Sequence, residues 1–243
     1  MTGPATDPAL ADRLRWASEG GDLFLRELDA LDDAVFAGPC LLPGWTVAHL
    51  VAHLGYNAEA LRRLARWART GEETPMYASR EARNAEIEEG AALPPAELRK
   101  LAHDAETALR ADLAELPEAA WAASVRTAQG RTVPAAEVPW MRAREVWIHA
   151  ADLGTGAGFA DFPAPLVDTL LTEIAGQRTA AGRGPALVLT AADRDRTWTV
   201  DADGAPPARL RGRAADLARW LTGRGASGVT ADGGDVPDPG RWL

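Results

Sequence analysis

The chain has 243 residues, 47% of them hydrophobic and 25% charged, enough for one large globular domain or two modest ones. Its net charge is -9 with no concentrated basic run, which argues against nucleic acid as a partner. Cys40 is the only cysteine, the N-terminus has no signal pattern and no apolar run is long enough to span a membrane. A cytoplasmic protein without disulfides or membrane partner is expected.

Leu10, Leu14, Ala17, Gly21, Phe24, Leu28 and Leu31 recur at spacings of three and four, which predicts a first helix ending by Gly38-Pro39. Gly20-Gly21 would weaken that helix by about 1 kcal/mol per glycine relative to alanine, so close packing or a kink is expected there. After the loop LLPGW, Thr46 is a good N-cap for a second helix from Val47 to about Arg69, carrying Leu50, Leu54, Leu61 and Leu64. Residues 70–93 read as an irregular loop followed by a short, highly charged helix. A third helix follows Pro94-Pro95, with Leu98, Leu101, Ala105, Leu109, Leu113 and Leu116, and stops at Pro117. Residues 118–138 read as another irregular connection, and a fourth long helix runs from near Trp140 to Gly154. Four long amphipathic helices pack naturally as a bundle.

The pattern changes after GTGAGFADFP. Residues 166–177 are still helical, ALVLTA (186–191) and RTWTVD (196–201) are strand-like, and ARLRG (208–212) could be a further strand. Residues 214–221 look helical, and GVTADG looks like a closing strand. The expected architecture is a four-helix bundle over 1–160 and a smaller α+β domain over 161–243.

The chain has four histidines: His49, His53, His103 and His149. Glu145 and His149 are four apart and share one helix face; His49 and His53 have the same spacing. Two bundle helices directing such pairs inward could offer two imidazoles and one carboxylate, a set that leaves a metal coordination position open. Spacing alone does not choose between His49 and His53. A solvated helix-face pair gives the same pattern. No GxSxG elbow, phosphate-binding loop, dinucleotide fingerprint or CxxC pair occurs, and Cys40 reads as a small buried hydrophobe. An enzyme on this chain would take its nucleophile from outside.

The segments LLPGWTVAHLVAHLGYNAEAL, TGEETPMYASREARNAEIEEGA, TAQGRTVPAAEVPWMRAREVWIHAADLG and GRGASGVTADGGDVPDPGRWL resemble the mycothiol-dependent maleylpyruvate isomerase family. The resemblance runs from the second helix to the last residue, and WMRAREVWIHAADLG is its strongest motif. It implies a DinB-like bundle followed by a sterol-carrier-like domain. It also implies a zinc ion held by His53, Glu145 and His149, with His49 left to a structural or orienting role. The family's C-terminal arginine falls on Arg224, which would clamp a substrate carboxylate. Tyr77, Arg83 and Asn84, in PMYASREARN, are candidates for substrate or cofactor contacts. The residues 191–213 match the family least.

The implied reaction is conversion of 3-maleylpyruvate to 3-fumarylpyruvate in gentisate breakdown, with mycothiol as thiol cofactor. A thiolate adds reversibly to the electron-poor alkene, rotation follows about the resulting single bond, and expulsion of the thiolate gives the trans isomer. The partners are then a small dicarboxylate and a low-molecular-weight thiol, acting on a monomer. Two other readings remain: a mycothiol S-transferase or similar thiol-dependent detoxifying enzyme, and a non-enzymatic zinc- or thiol-sensing protein.

Overall fold

A computed structural model describes residues 9–182, 184–202, 206–240 and 242. The described chain forms two compact units, Ala9–Ala157 and Gly158–Leu243.

In the first unit the helices are α1 (Leu10–Asp29), α2 (Val47–Thr70), α3 (Arg80–Ala91), α4 (Pro95–Ala114) and α5 (Val138–Asp152). α1 packs on α5, α2 on α4 and α5, and α3 lies against α2. The leucine face expected of α2 is the face that folds inward: Leu50, Leu54, Leu61 and Leu64 are all fully buried. Each such side chain contributes about 1.5–3 kcal/mol relative to an exposed one.

Two glycines of α1 make its close approach to the neighbouring helices possible. A Cβ at Gly20 would lie 2.6 Å from Trp147 Cδ1 and Nε1 and from Val146 Cγ2. The Trp147 ring cannot yield freely, because it is buried and its Nε1 donates to Trp16 O at 2.8 Å. Gly20→Ala is therefore expected to destabilise the unit by about 1–3 kcal/mol through overpacking. That exceeds the roughly 1 kcal/mol alanine gains in helix propensity. Chemical denaturation would show the difference, and an unchanged or raised midpoint would contradict it.

Two local expectations need correction. The first helix ends at Asp29, well before Gly38-Pro39, because Asp32 starts a new turn at Asp33–Val35 by accepting from Ala34 N at 2.8 Å. Residues 118–138 are more ordered than an irregular connection. They hold two 3-10 turns, Glu118–Ala122 and Ala135–Glu137, and an antiparallel hairpin of β1 (Ser124–Arg126) and β2 (Thr132–Pro134). Gly130, at φ 81°, supplies the left-handed residue in its loop. The charged segment after residue 70 divides as expected, with Ser79 capping α3 through Ala82 N.

The second unit begins its regular structure with α6 (Ala164–Ala181). Strands β3 (Leu187–Ala191), β4 (Thr197–Val200) and β5 (Ala208–Gly212) follow, then α7 (Ala214–Leu221) and β6 (Thr230–Ala231). The sheet order is β4-β3-β5-β6, with β3 and β5 parallel and the outer pairings antiparallel. Leu189 sits opposite Trp198 on one side and Leu210 on the other. All three are buried, as are Leu217, Trp220 and Leu221 of α7. The chain is thus a helical bundle followed by a small α+β unit. Among the described residues, no helix is long and apolar enough to cross a membrane.

Candidate metal centre

The start of α2 decides which of its two histidines is available. Thr46 Oγ1 accepts from His49 N, and the His49 ring turns back so that Nδ1 lies 2.6 Å from Thr46 Oγ1 and 3.4 Å from Thr46 N. These contacts form a capping box with histidine in the place usually taken by Glu or Gln. The other ring nitrogen, Nε2, lies 3.3 Å from Glu88. His49 thus serves the end of its own helix. One turn further on, His53 is buried and its ring meets Trp45 edge-on at 5.4 Å.

α5 brings the other two groups to His53. His53 Nε2 is 3.0 Å from Glu145 Oε2, and His149 Nε2 is 3.3 Å from the same oxygen. One ligand atom from each of His53, Glu145 and His149 can be chosen so that all lie within 4.8 Å of one another. The imidazole rings stand 5.2 Å apart and nearly perpendicular. Two imidazoles and one carboxylate converging on one point can hold a divalent cation such as zinc.

The electrostatics favour a cation there. Burial opposes ionisation of Glu145, but hydrogen bonds from His149 and His53 outweigh it and hold its carboxyl well below the usual range. His53 is pushed down by burial, against the pull of Glu145. His149 behaves oppositely: burial opposes its charge, but contacts with Asp152 and Glu145 raise its pKa. Both nitrogens of His149 face carboxylate oxygens, which only accept, so these contacts favour the charged ring. A metal ion at His149 Nε2 would therefore have to displace a proton.

Asp152 is a residue the sequence reading passed over. Its carboxylate is buried and lies 2.8 Å from His149 Nδ1. A carboxylate behind a ligating histidine fixes the ring's orientation and makes the ligand more basic. The signal was present, since Asp152 follows His149 by three residues and so shares its helix face. Asp152→Asn keeps the shape and removes the charge; it is expected to weaken zinc binding by about 10–100-fold. Competition against a chromophoric chelator measures this, and an unchanged affinity would leave Asp152 with only a packing role.

The segment before α3 lies over the same cluster. Thr74 Oγ1 donates to Arg63 O at 2.6 Å, Arg63 Nη1 donates to Met76 O at 2.6 Å, and Met76 is buried. Arg83 then places Nη2 3.3 Å from His53 Nδ1 and Nη1 3.4 Å from Asn84 Oδ1. Its guanidinium stands 5.9 Å from the centre of the Tyr77 ring. Burial pushes the Tyr77 phenol up to about 12, with Arg83 pulling the other way and the Glu145 charge adding to the rise. The phenol keeps its proton at neutral pH. Arg83 and Tyr77 thus join the histidine–carboxylate cluster, with exposed Asn84 reached through Arg83.

Arg224 belongs to the second unit, in the loop after α7. Its N–H donates to Arg219 O at 2.9 Å, and Nη1 donates to Thr222 O at 2.7 Å. Gly223 and Gly225 flank it at φ 82° and 97°, a left-handed backbone that glycine adopts without penalty.

The family model of the mycothiol maleylpyruvate isomerase N-terminal domain matches residues 17–154, and that of the MDMPI C-terminal domain matches residues 161–241. The crystal structure of a mycothiol-dependent maleylpyruvate isomerase superposes with a TM-score of 0.94 at 45% identity, covering 99% of this chain and 100% of that one. A histidine-to-alanine mutant of that isomerase superposes equally well. YfiT from Bacillus subtilis, a four-helix bundle, covers 63% of this chain and 90% of its own at 16% identity and a TM-score of 0.51, a likeness of fold alone. No curated protein matches the chain. With both family models matched in order and 45% identity held over nearly the whole length, the chain belongs to the mycothiol-dependent maleylpyruvate isomerase family.

Proposed function

We propose that this protein catalyses the zinc- and mycothiol-dependent isomerisation of 3-maleylpyruvate to 3-fumarylpyruvate, the step that serves gentisate degradation. The observation that carries this reading is the convergence of His53, Glu145 and His149 from two helices, in a chain of this family. The donor set fits a zinc ion with an open coordination position, and the ionised Glu145 supplies charge to balance it. When bound there, zinc would favour the thiolate form of a coordinated thiol and stabilise enolate charge. Mycothiol would supply the thiolate whose reversible addition makes the alkene rotatable. The chain offers no convincing nucleophile of its own: Cys40 is partly buried, and its Sγ–H lies 3.8 Å from Leu42 O.

The chain's own residues then bind and orient. Arg83 can only donate, so its contact makes His53 Nδ1 the acceptor. An imidazole that ligates through Nε2 keeps its proton on Nδ1 and cannot accept from Arg83. The guanidinium is then available to a carboxylate or a thiolate. Tyr77, protonated at neutral pH, can donate a hydrogen bond to a substrate oxygen. Trp45 lines the His53 ring and keeps water from that side. Arg224 holds a substrate carboxylate, and the protein acts as a cytoplasmic monomer.

Turnover of freshly generated maleylpyruvate, with and without mycothiol and on metal-quantified protein, tests the reading. Thiol-dependent conversion that disappears on chelation is the expected result. Zinc-loaded protein that leaves maleylpyruvate untouched but conjugates other electrophiles to mycothiol would replace the isomerase reading with an S-transferase. Arg224→Ala is expected to retain zinc while turnover drops by about 10²–10³-fold, the usual cost of losing a charged group that positions or stabilises the reacting species. Preserved activity would remove its role.

A further inference from the structure

The metal-ligand reading leaves open what holds α2 and α5 in the rotation that turns His53 towards Glu145 and His149. Leucine and alanine surfaces tolerate sliding and rotation, because apolar packing is not directional. A buried polar network is directional, and one lies beside the ligands.

Arg142 stands one turn before Glu145 on α5 and is buried. Its Nη1 donates to Leu54 O at 3.0 Å and to Asn57 Oδ1 at 2.9 Å. Leu54 is the neighbour of His53, and Asn57 is one turn beyond it on α2. Arg142 Nε and Nη2 donate to Glu106 Oε2 of α4 at 3.0 and 2.7 Å. The other Glu106 oxygen accepts from Arg110 Nε at 2.9 Å, and Arg110 Nη2 donates to Ser18 O of α1 at 2.8 Å. All four long helices are thus joined at one level, and Arg142 of α5 reaches α2 directly there. Its planar fork suits this task, since its donors serve a carboxylate on one side and two α2 acceptors on the other.

We propose that Arg142 is a positioning residue of the metal centre: by clasping Leu54 O and Asn57 while held by Glu106, it sets the register of α2 against α5. This rests on the metal-ligand reading of His53, Glu145 and His149. It assigns a task to a charge that a purely apolar core would not need, since buried ion pairs can often be replaced by apolar residues without loss of stability.

The test is zinc affinity by chelator competition, with the absorption bands of the Co2+-substituted protein as a reporter of ligand geometry. Neither readout needs turnover. Arg142→Lys keeps a charge opposite Glu106 but cannot serve both sides. It is expected to fold and to bind zinc about tenfold or more weakly, with altered Co2+ bands, as when groups that orient metal ligands are removed. Glu106→Leu combined with Arg142→Met replaces the pair by apolar groups; it is expected to melt near the wild type and show the same loss. Asn57→Ala leaves the ion pair intact and should give a smaller loss in the same direction. Folded variants with wild-type zinc affinity and Co2+ bands would overturn the proposal, and failure of all three to fold would make the network a structural one and overturn it too. If the wild-type protein itself binds no zinc, the metal reading has failed instead.

Discussion

Glu145→Gln is expected to remove stoichiometric zinc binding, and thiol-dependent turnover with it, while the bundle stays folded. Glu145 is the single anion between two imidazoles, with Oε2 at 3.0 Å from His53 Nε2 and 3.3 Å from His149 Nε2. An amide of the same size still fills the space but brings no charge and is a poor metal ligand. The loss in affinity should exceed the 10–100-fold typical of residues that only orient ligands, so roughly 100-fold or more is expected. The wild-type site should also bind metal more weakly as pH falls through the His149 value, which lies above the ordinary 6.5. There the proton competes for Nε2, whereas at higher pH binding releases none from this ring. Calorimetric titration with zinc at pH 8 and pH 6, on both proteins, checks these points. Near-equimolar zinc at wild-type affinity in Glu145→Gln would sink the ligand assignment.

Much of the first unit was legible because its signals are local. The leucine spacing of α2 and α4, the Thr46 cap and the proline before α4 all act within a turn or two, and each element formed where they placed it. The choice between His49 and His53 was not legible from spacing, because both pairs have the same period. It depends on whether the His49 ring closes a capping box with Thr46, and only coordinates show that.

Arg142 shows a different blindness. An arginine in a helix reads by default as a solvated charge, and nothing around it in WMRAREVWIHAADLG marks it as buried. Its burial depends on Glu106, Leu54 and Asn57, which lie 36 to 88 residues away. The same limit applies to β3 and β5: both strands are legible from their residues, but their parallel pairing joins segments that β4 separates in the chain. The hairpin at 124–134 was missed because three-residue strands carry too little alternation to stand out.

The buried network should show its weight most clearly when it is broken on one side. Glu106→Ala is expected to destabilise the helical unit by about 3–5 kcal/mol, because Arg142 would remain buried without its counter-charge. Both side chains are only 3% exposed, so the pair sits largely out of water. For a unit of this size the melting temperature should fall on the order of 10 °C. The acid dependence has a definite sign. Burial works against the Glu106 charge, but Arg142 and Arg110 overcome it and hold its pKa below the ordinary 4.5. The stabilisation is therefore full above that ordinary value and is lost as pH falls through the lower folded value. The gap in melting temperature between wild type and Glu106→Ala should narrow over that acid range and stay constant above it. A gap that is small at neutral pH would mean that Arg142 finds other partners. Gly21 makes such rescue difficult: α1 approaches so closely there that even a Cβ would overlap Glu106 Oε1 and come within 2.7 Å of Arg110 Nη2. Elsewhere the pair borders a cavity of about 400 Å³, lined by Leu14, Ala17, Glu106 and Arg142 among others, so any rescue of the unpaired guanidinium has to come from that side.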